Sequence, residues 1–325
     1  MKNYKIISVV GNVKNAGKTT VMNSYLTRIE NDVAITSIGL DGEEIDQVTS
    51  MEKPQILVKP GYIVASATET LKNFTCKYEI IQETSINTSI GKVVIVRIVS
   101  PGKALVAGPA KVKDMEKLIK ELDHYQLSKI IIDGAFSRHV FAKITQATIL
   151  VIGANYSRDI NVVINDARLT YKKFTLKSLD TKRFSFGDKI SYIDLHENQF
   201  DLEYSSIIGN VDAFFTLPIE DMKLVYFPKS ITNKFVEKLI IERKKCKFDI
   251  VIDSPINIQL NNQLLERLFK LENSIYVLNP INLALVCYNP YSPQGYEFDN
   301  LEFENKLETV LGIEVINVLK DGITL

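Results

Sequence analysis

Apolar and polar positions alternate along this chain in two series of short runs. From Tyr4 to about Gly153, continuous apolar stretches predict strands at Lys5–Val10, Val33–Ile38, Gln55–Val58, Val93–Val99, Lys129–Ile132 and Thr148–Ile152. Helical periodicity between them predicts helices at about Lys18–Ile29, Ala65–Asn73 and Lys113–Leu122. Continuous rather than alternating apolar runs are what strands buried on both faces need, so the pattern predicts an α/β fold with a mostly parallel sheet. After the polar stretch Lys177–Glu203 a second series begins. It predicts strands at Leu224–Phe227, Asp249–Ile252, Ser274–Leu278, Leu283–Tyr288 and Glu314–Val318, with helices near Thr232–Arg243, Asn261–Leu271 and Leu301–Leu311. The expected organisation is a first lobe over 1–155, a connecting segment over 156–205 and a second α/β lobe over 206–325.

Composition changes this picture little. The 325 residues suit two domains, and 39 basic residues balance 39 acidic ones, so charge gives no argument for nucleic acid or an anionic membrane as partner. No apolar run reaches the ~20 residues that span a bilayer, and the apolar N-terminal run is too short for a signal sequence, so the cytoplasm is the expected compartment. Cys76, Cys246 and Cys287 are far apart and lack zinc-ligand spacing.

The clearest chemistry follows the first strand. Gly11-Asn12-Val13-Lys14-Asn15-Ala16-Gly17-Lys18-Thr19-Thr20 joins an apolar strand to an amphipathic helix, which is the context of a Walker A phosphate loop. Glycines let backbone N–H groups turn toward phosphate oxygens, Lys18 reaches the β and γ phosphates, and Thr19 is placed to ligate Mg²⁺. Five residues rather than four separate Gly11 from Gly17, so Asn12 stands where the first glycine usually does. The plain alternative is a glycine-rich turn that binds nothing.

Two carboxylates are candidates to hold the metal. Asp133 ends the apolar run Ile130–Ile132, the place of a Walker B aspartate; a strand-end turn with Gly134 is its ordinary alternative. Asp41 lies in the cluster Asp41-Gly42-Glu43-Glu44 after the second strand, and Glu43 or Glu44 is a candidate to orient water. Arg138 suits either a γ phosphate or a structural pair. Pro101–Ala110 reads as a switch-like pair of elbows, Asn289–Tyr296 as a rigid loop that docks a base or a partner, and Asn279 as a candidate base contact.

The five-residue spacer resembles the dethiobiotin-synthetase and nitrogenase-iron-protein superclass of P-loop proteins, with Lys14 similar to that group's extra loop lysine, displaced by one position. Together with Ser37-Ile38-Gly39-Leu40-Asp41-Gly42-Glu43, Asp133-Gly134-Ala135-Phe136-Ser137-Arg138 and Asn289-Pro290…Ser292-Pro293-Gln294-Gly295-Tyr296, the chain resembles the reactivase ATPase subunit of lysine 5,6-aminomutase. That resemblance implies ATP and Mg²⁺ as cofactors and a chaperone-like cycle that frees inactivated cobalamin from an adenosylcobalamin-dependent aminomutase. It also implies a second reactivase subunit as partner; the superclass adds the expectation of a homodimer. The competing expectations are an ATP-dependent ligase or kinase similar to dethiobiotin synthetase, a GTP-using metallochaperone and a binding module with a dead site. No Asn-Lys-x-Asp guanine signature is present, and neither is a cobalamin-ligand motif.

Overall fold

The computed structural model describes residues 4–29, 32–39, 55–134, 144–181, 183–317 and 319. The chain divides into one unit over 1–164 and 282–325 and another over 165–281. The fold is α/β, with one large, mainly parallel mixed sheet in the first unit.

That sheet has nine strands. Along the chain they are β1 (Ile6–Gly11), β2 (Val33–Ser37), β4 (Ile63–Ala67), β5 (Tyr78–Thr88), β6 (Gly91–Ile98), β8 (Lys129–Asp133), β9 (Ala147–Gly153), β17 (Leu283–Asn289) and β20 (Ile316–Asn317). Two short strands, β3 (Ile56–Val58) and β7 (Gly102–Ala104), pair antiparallel apart from it. Spatially the order is β20-β17-β9-β1-β8-β2-β4-β6-β5, parallel from β20 to β4 and antiparallel at β6 and β5. The central strands are mostly apolar because both faces are covered: every residue of β2, β4 and β9 is buried. Helix α1 (Lys18–Leu26) buries Val21, Met22, Tyr25 and Leu26 in the core beside β1, each aliphatic side chain worth about 2 kcal/mol, and helix α2 (Val112–Asp123) buries Met115, Leu118, Ile119 and Leu122.

The second unit holds β10 (Ser191–Asp194), β11 (Gln199–Asp201), β12 (Met222–Phe227), β14 (Asp249–Ile252) and β16 (Ile275–Val277) in the order β11-β10-β12-β14-β16. The short strands β13 (Ile231–Thr232) and β15 (Ile258–Gln259) pair with each other, as do β18 (Tyr291–Ser292) and β19 (Tyr296–Glu297) of the first unit. Phe214, Phe227, Phe235 and Phe248 form the second unit's aromatic core, with Phe227 and Phe235 ring centroids 4.9 Å apart.

The structure corrects the expected organisation in three places. The stretch 282–325 belongs to the first unit, because β17 pairs with β9 and β20 with β17; it is not the end of a second lobe over 206–325. The stretch 156–205 is no connector: it contains helix α3 (Ile160–Phe174) and strands β10 and β11. The helix expected over Ala65–Asn73 is instead the end of β4 followed by a 3-10 turn at Thr68–Asn73. Among the described residues no helix is long and apolar enough to cross a membrane.

Candidate functional site

The phosphate-loop candidate leaves the C-terminal end of β1, in the middle of the sheet, where open parallel sheets leave their loops free for ligands. Gly11 is buried. A β-carbon on it would lie 3.0 Å from Ala16 Cβ and 3.2 Å from Lys18 Cγ, so the loop folds back over the strand end and the Lys18 stem runs across it. Asn15 (φ 63°) and Gly17 (φ 105°) both take left-handed conformations, which turn the chain sharply enough to start α1 at Lys18. Gly17 caps α1 without any side-chain hydrogen bond, and the first intrahelical bond runs from Val21 N–H to Gly17 O at 3.1 Å. Among the described residues no side-chain cap meets the N–H groups of this first turn, which lie at the positive end of the helix.

Strand β9 splints this loop. Asn12 N–H donates to Val151 O at 3.0 Å, Gly153 N–H donates to Asn12 Oδ1 at 3.0 Å, and Asn155 Nδ2 donates to Lys14 O at 2.6 Å. The side chain at the non-glycine position Asn12 thus ties the loop to β9, and Ala16 is buried while Lys14 and Asn15 face solvent. From β17, the Asn289 side chain packs against Gly17. The Asn289–Tyr296 stretch continues as the β18–β19 hairpin, held by Tyr296 OH donating to Ala154 O at 2.8 Å, with the Arg158 guanidinium 5.4 Å from the Tyr296 ring centroid.

Asp133 ends β8, which lies between β1 and β2 with Asp133 level with Val9 and Ser37. Part of the residue reaches solvent, but its Oδ1 is enclosed without a hydrogen-bond partner among the described residues. Burial pushes the Asp133 carboxyl above the ordinary range, while the nearby Lys18 charge and the Gly134 N–H pull it back. A buried carboxylate oxygen without a partner, next to the loop lysine, fits a cation held together with phosphate. Among the described residues no group of three or more His, Cys, Asp or Glu is placed to hold a metal by itself. Magnesium is commonly held by one or two protein oxygens plus phosphate, and the Asp133 carboxylate is one such oxygen donor.

Asp41, Glu43, Glu44 and Arg138 lie outside the described residues. Asn279 lies in the second unit and gives its side-chain amide to Asp253 Oδ1 at 2.9 Å. The expected switch at Pro101–Ala110 is partly packed in place. Ser37 Oγ donates to Val106 O, Ala107 N–H donates to Ser66 Oγ, and a β-carbon on Gly108 would stand 2.0 Å from Ser37 O. All three cysteines are buried and free, and burial pushes the Cys246 and Cys287 thiols up to about 12. The second unit has an open cleft of about 340 Å³ lined by Phe215, Leu217 and Ile219, but Lys238 and Lys245 on its rim are paired with Asp212 and Glu242.

Gly153, Asn155 and Asn289 were not read from the sequence as parts of the phosphate loop's support. Their proximity follows from the pairing of β9 with β1 and of β17 with β9, which joins residues far apart in the chain. Comparison of the chain with protein-family models, with curated proteins and with solved structures gave no match in any of the three.

Proposed function

We propose that this chain is a Mg²⁺-dependent P-loop ATPase whose nucleotide site is the Gly11–Thr20 loop. The observation that carries the reading is the convergence at adjacent strand ends of an uncapped helix N-terminus, Lys18, and the buried, partnerless Oδ1 of Asp133. An anion on the loop satisfies the first-turn N–H groups and Lys18. A cation held by Asp133 would remove the cost of an enclosed carboxylate.

In this reading Gly11, Asn12, Lys14, Asn15, Ala16 and Gly17 shape the cradle, and Lys18, Thr19 and Thr20 meet the phosphates. Lys18 neutralises charge on the β and γ phosphates as the terminal P–O bond breaks. Mg²⁺, held by Thr19 and Asp133, would neutralise further charge on the phosphates. On the strength of the superclass resemblance, Asp41 is proposed as a further metal-shell residue and Glu43 or Glu44 as the residue that orients water. The Tyr296–Arg158 pair and the hairpin behind it flank the loop and suit the nucleoside end.

For the cellular role we propose the reactivase function: ATP binding and hydrolysis drive release of inactivated cobalamin from an adenosylcobalamin-dependent aminomutase, in the cytoplasm and with a second reactivase subunit. The family resemblance supports this role. One stretch that carries the resemblance, Asn289–Tyr296, begins with the residue packed on Gly17. The test is phosphate release from Mg·ATP with and without a cobalamin-inactivated aminomutase. Stimulated turnover with recovered mutase activity supports the role. Turnover indifferent to the mutase contradicts it and favours a small-molecule ligase or kinase similar to dethiobiotin synthetase.

A further inference from the structure

We infer that Asn289 is a positioning residue for the phosphate loop, so that the nucleotide site is completed by the C-terminal part of the chain; this rests on the nucleotide reading above. Strand β17 runs beside β9 with Asn289 level with Gly153, the glycine that abuts Ala16 of the loop. Asn289 is only 7% exposed. Its Oδ1 accepts the Tyr291 N–H at 3.1 Å, which turns the amide nitrogen the other way. A β-carbon on Gly17 would stand 3.0 Å from that Nδ2 and 3.2 Å from Asn289 Cβ, so the asparagine fills the space in which Gly17 lacks a side chain.

Gly17 is where the loop becomes helix. With φ at 105° it needs glycine's freedom, and the same freedom lets the flanking peptides rotate unless a neighbour restrains them. Asn289 is that neighbour, and it is held firmly. Phe298 N–H donates to Pro290 O at 3.1 Å, Gly295 N–H to Ser292 O at 3.0 Å, and Tyr296 OH to Ala154 O at 2.8 Å, so the hairpin that follows Asn289 is tied to itself and to the end of β9. A neutral amide here also suits a loop that gathers phosphate, since a carboxylate of the same shape would repel the ligand.

Two variants of the full chain test this. Asn289→Ser keeps a hydroxyl acceptor for Tyr291 N–H but leaves Gly17 without its neighbour. Asn289→Asp keeps shape and acceptor but places a negative charge beside the loop. Fluorescence titration with N-methylanthraniloyl-ATP and Mg²⁺ is expected to show affinity about fivefold weaker for Asn289→Ser. For Asn289→Asp the loss should be tenfold or more and should shrink as salt is raised, because screening weakens the repulsion. Melting temperatures within a few degrees of wild type are expected for both, and if one melts early the other decides. Equal affinity in a stable variant, with wild type binding and Lys18→Ala not, overturns the inference. Failure of wild type to bind, or equal binding by Lys18→Ala, overturns the nucleotide reading instead.

Discussion

Gly153 at the end of β9 lies so close to Ala16 that a β-carbon on it would stand 2.6 Å from Ala16 Cα and 2.4 Å from Asn155 Oδ1. The first contact is with backbone, so the loop itself must move to admit a side chain. The φ of Gly153, −101°, suits any residue, so the requirement for glycine here is steric. Gly153→Ala is therefore expected to cost about 1–3 kcal/mol of stability and to weaken Mg·ATP binding, because the displaced element is the phosphate loop. Denaturant melts and a calorimetric titration of the same variant check both halves; loss of stability with unchanged affinity would separate Gly153 from the site.

Asp133 carries a second prediction, with a definite sign. Its carboxyl is raised in the folded state, so the folded protein holds that proton more tightly than the unfolded chain does. The ionised form then costs stability once pH exceeds the ordinary aspartate range, and the cost is complete above the raised value. Without nucleotide or Mg²⁺, Asp133→Asn should melt above wild type at pH 8, with the gap closing toward pH 4. The same variant should lose Mg²⁺-dependent turnover by about a hundredfold or more while retaining a folded loop. A gap that stays constant with pH would show that Asp133 is not strained by burial.

In the second unit, Lys173 is buried on α3 and burial lowers its ammonium to about 8, with Asp166 pulling it back up. The folded state releases this proton before the unfolded chain does, so stability rises with pH between about 8 and the ordinary lysine value of 10.5. Wild type should gain about 3 kcal/mol on Lys173→Met over that window, read from paired urea melts. Parallel pH curves would contradict the burial of a charged amine there.

The division of the chain makes a fourth prediction. A fragment of residues 165–281 is expected to fold alone, because it contains a complete five-stranded sheet and its aromatic core. A fragment of 206–325 should not, since β17 and β20 would lose β9, the strand they build on. Circular dichroism and cooperative melting of the two fragments decide it, and a folded 206–325 fragment would contradict the strand order.

Much of this fold was legible because parallel strands buried on both faces read as unbroken apolar runs, as at Lys5–Val10, Lys129–Ile132 and Thr148–Ile152. Where burial is uneven, legibility fails. Strand β5 is an edge with residues such as Glu79 and Ile80 exposed, and its burial alternates only over Glu83–Asn87, where one of the two buried residues is the polar Thr84. Helix α3 buries Val163, Asp166, Ala167, Leu169, Thr170, Lys173 and Phe174, but three of those seven are polar, which hides the stripe. The loop glycines and Lys18 could be read from their junction alone. Gly153, Asn155 and Asn289 reach the loop through strand pairings that no local pattern encodes.

The central claim is that the Gly11–Thr20 loop binds nucleoside triphosphate. The most direct measurement is calorimetric titration of wild type and Lys18→Ala with Mg·ATP. Saturable one-to-one binding by wild type is predicted, with affinity in Lys18→Ala reduced about thirtyfold or more, for the roughly 2 kcal/mol or more of a lost charge-assisted contact. No binding by wild type, or the same affinity in both proteins, would contradict the account.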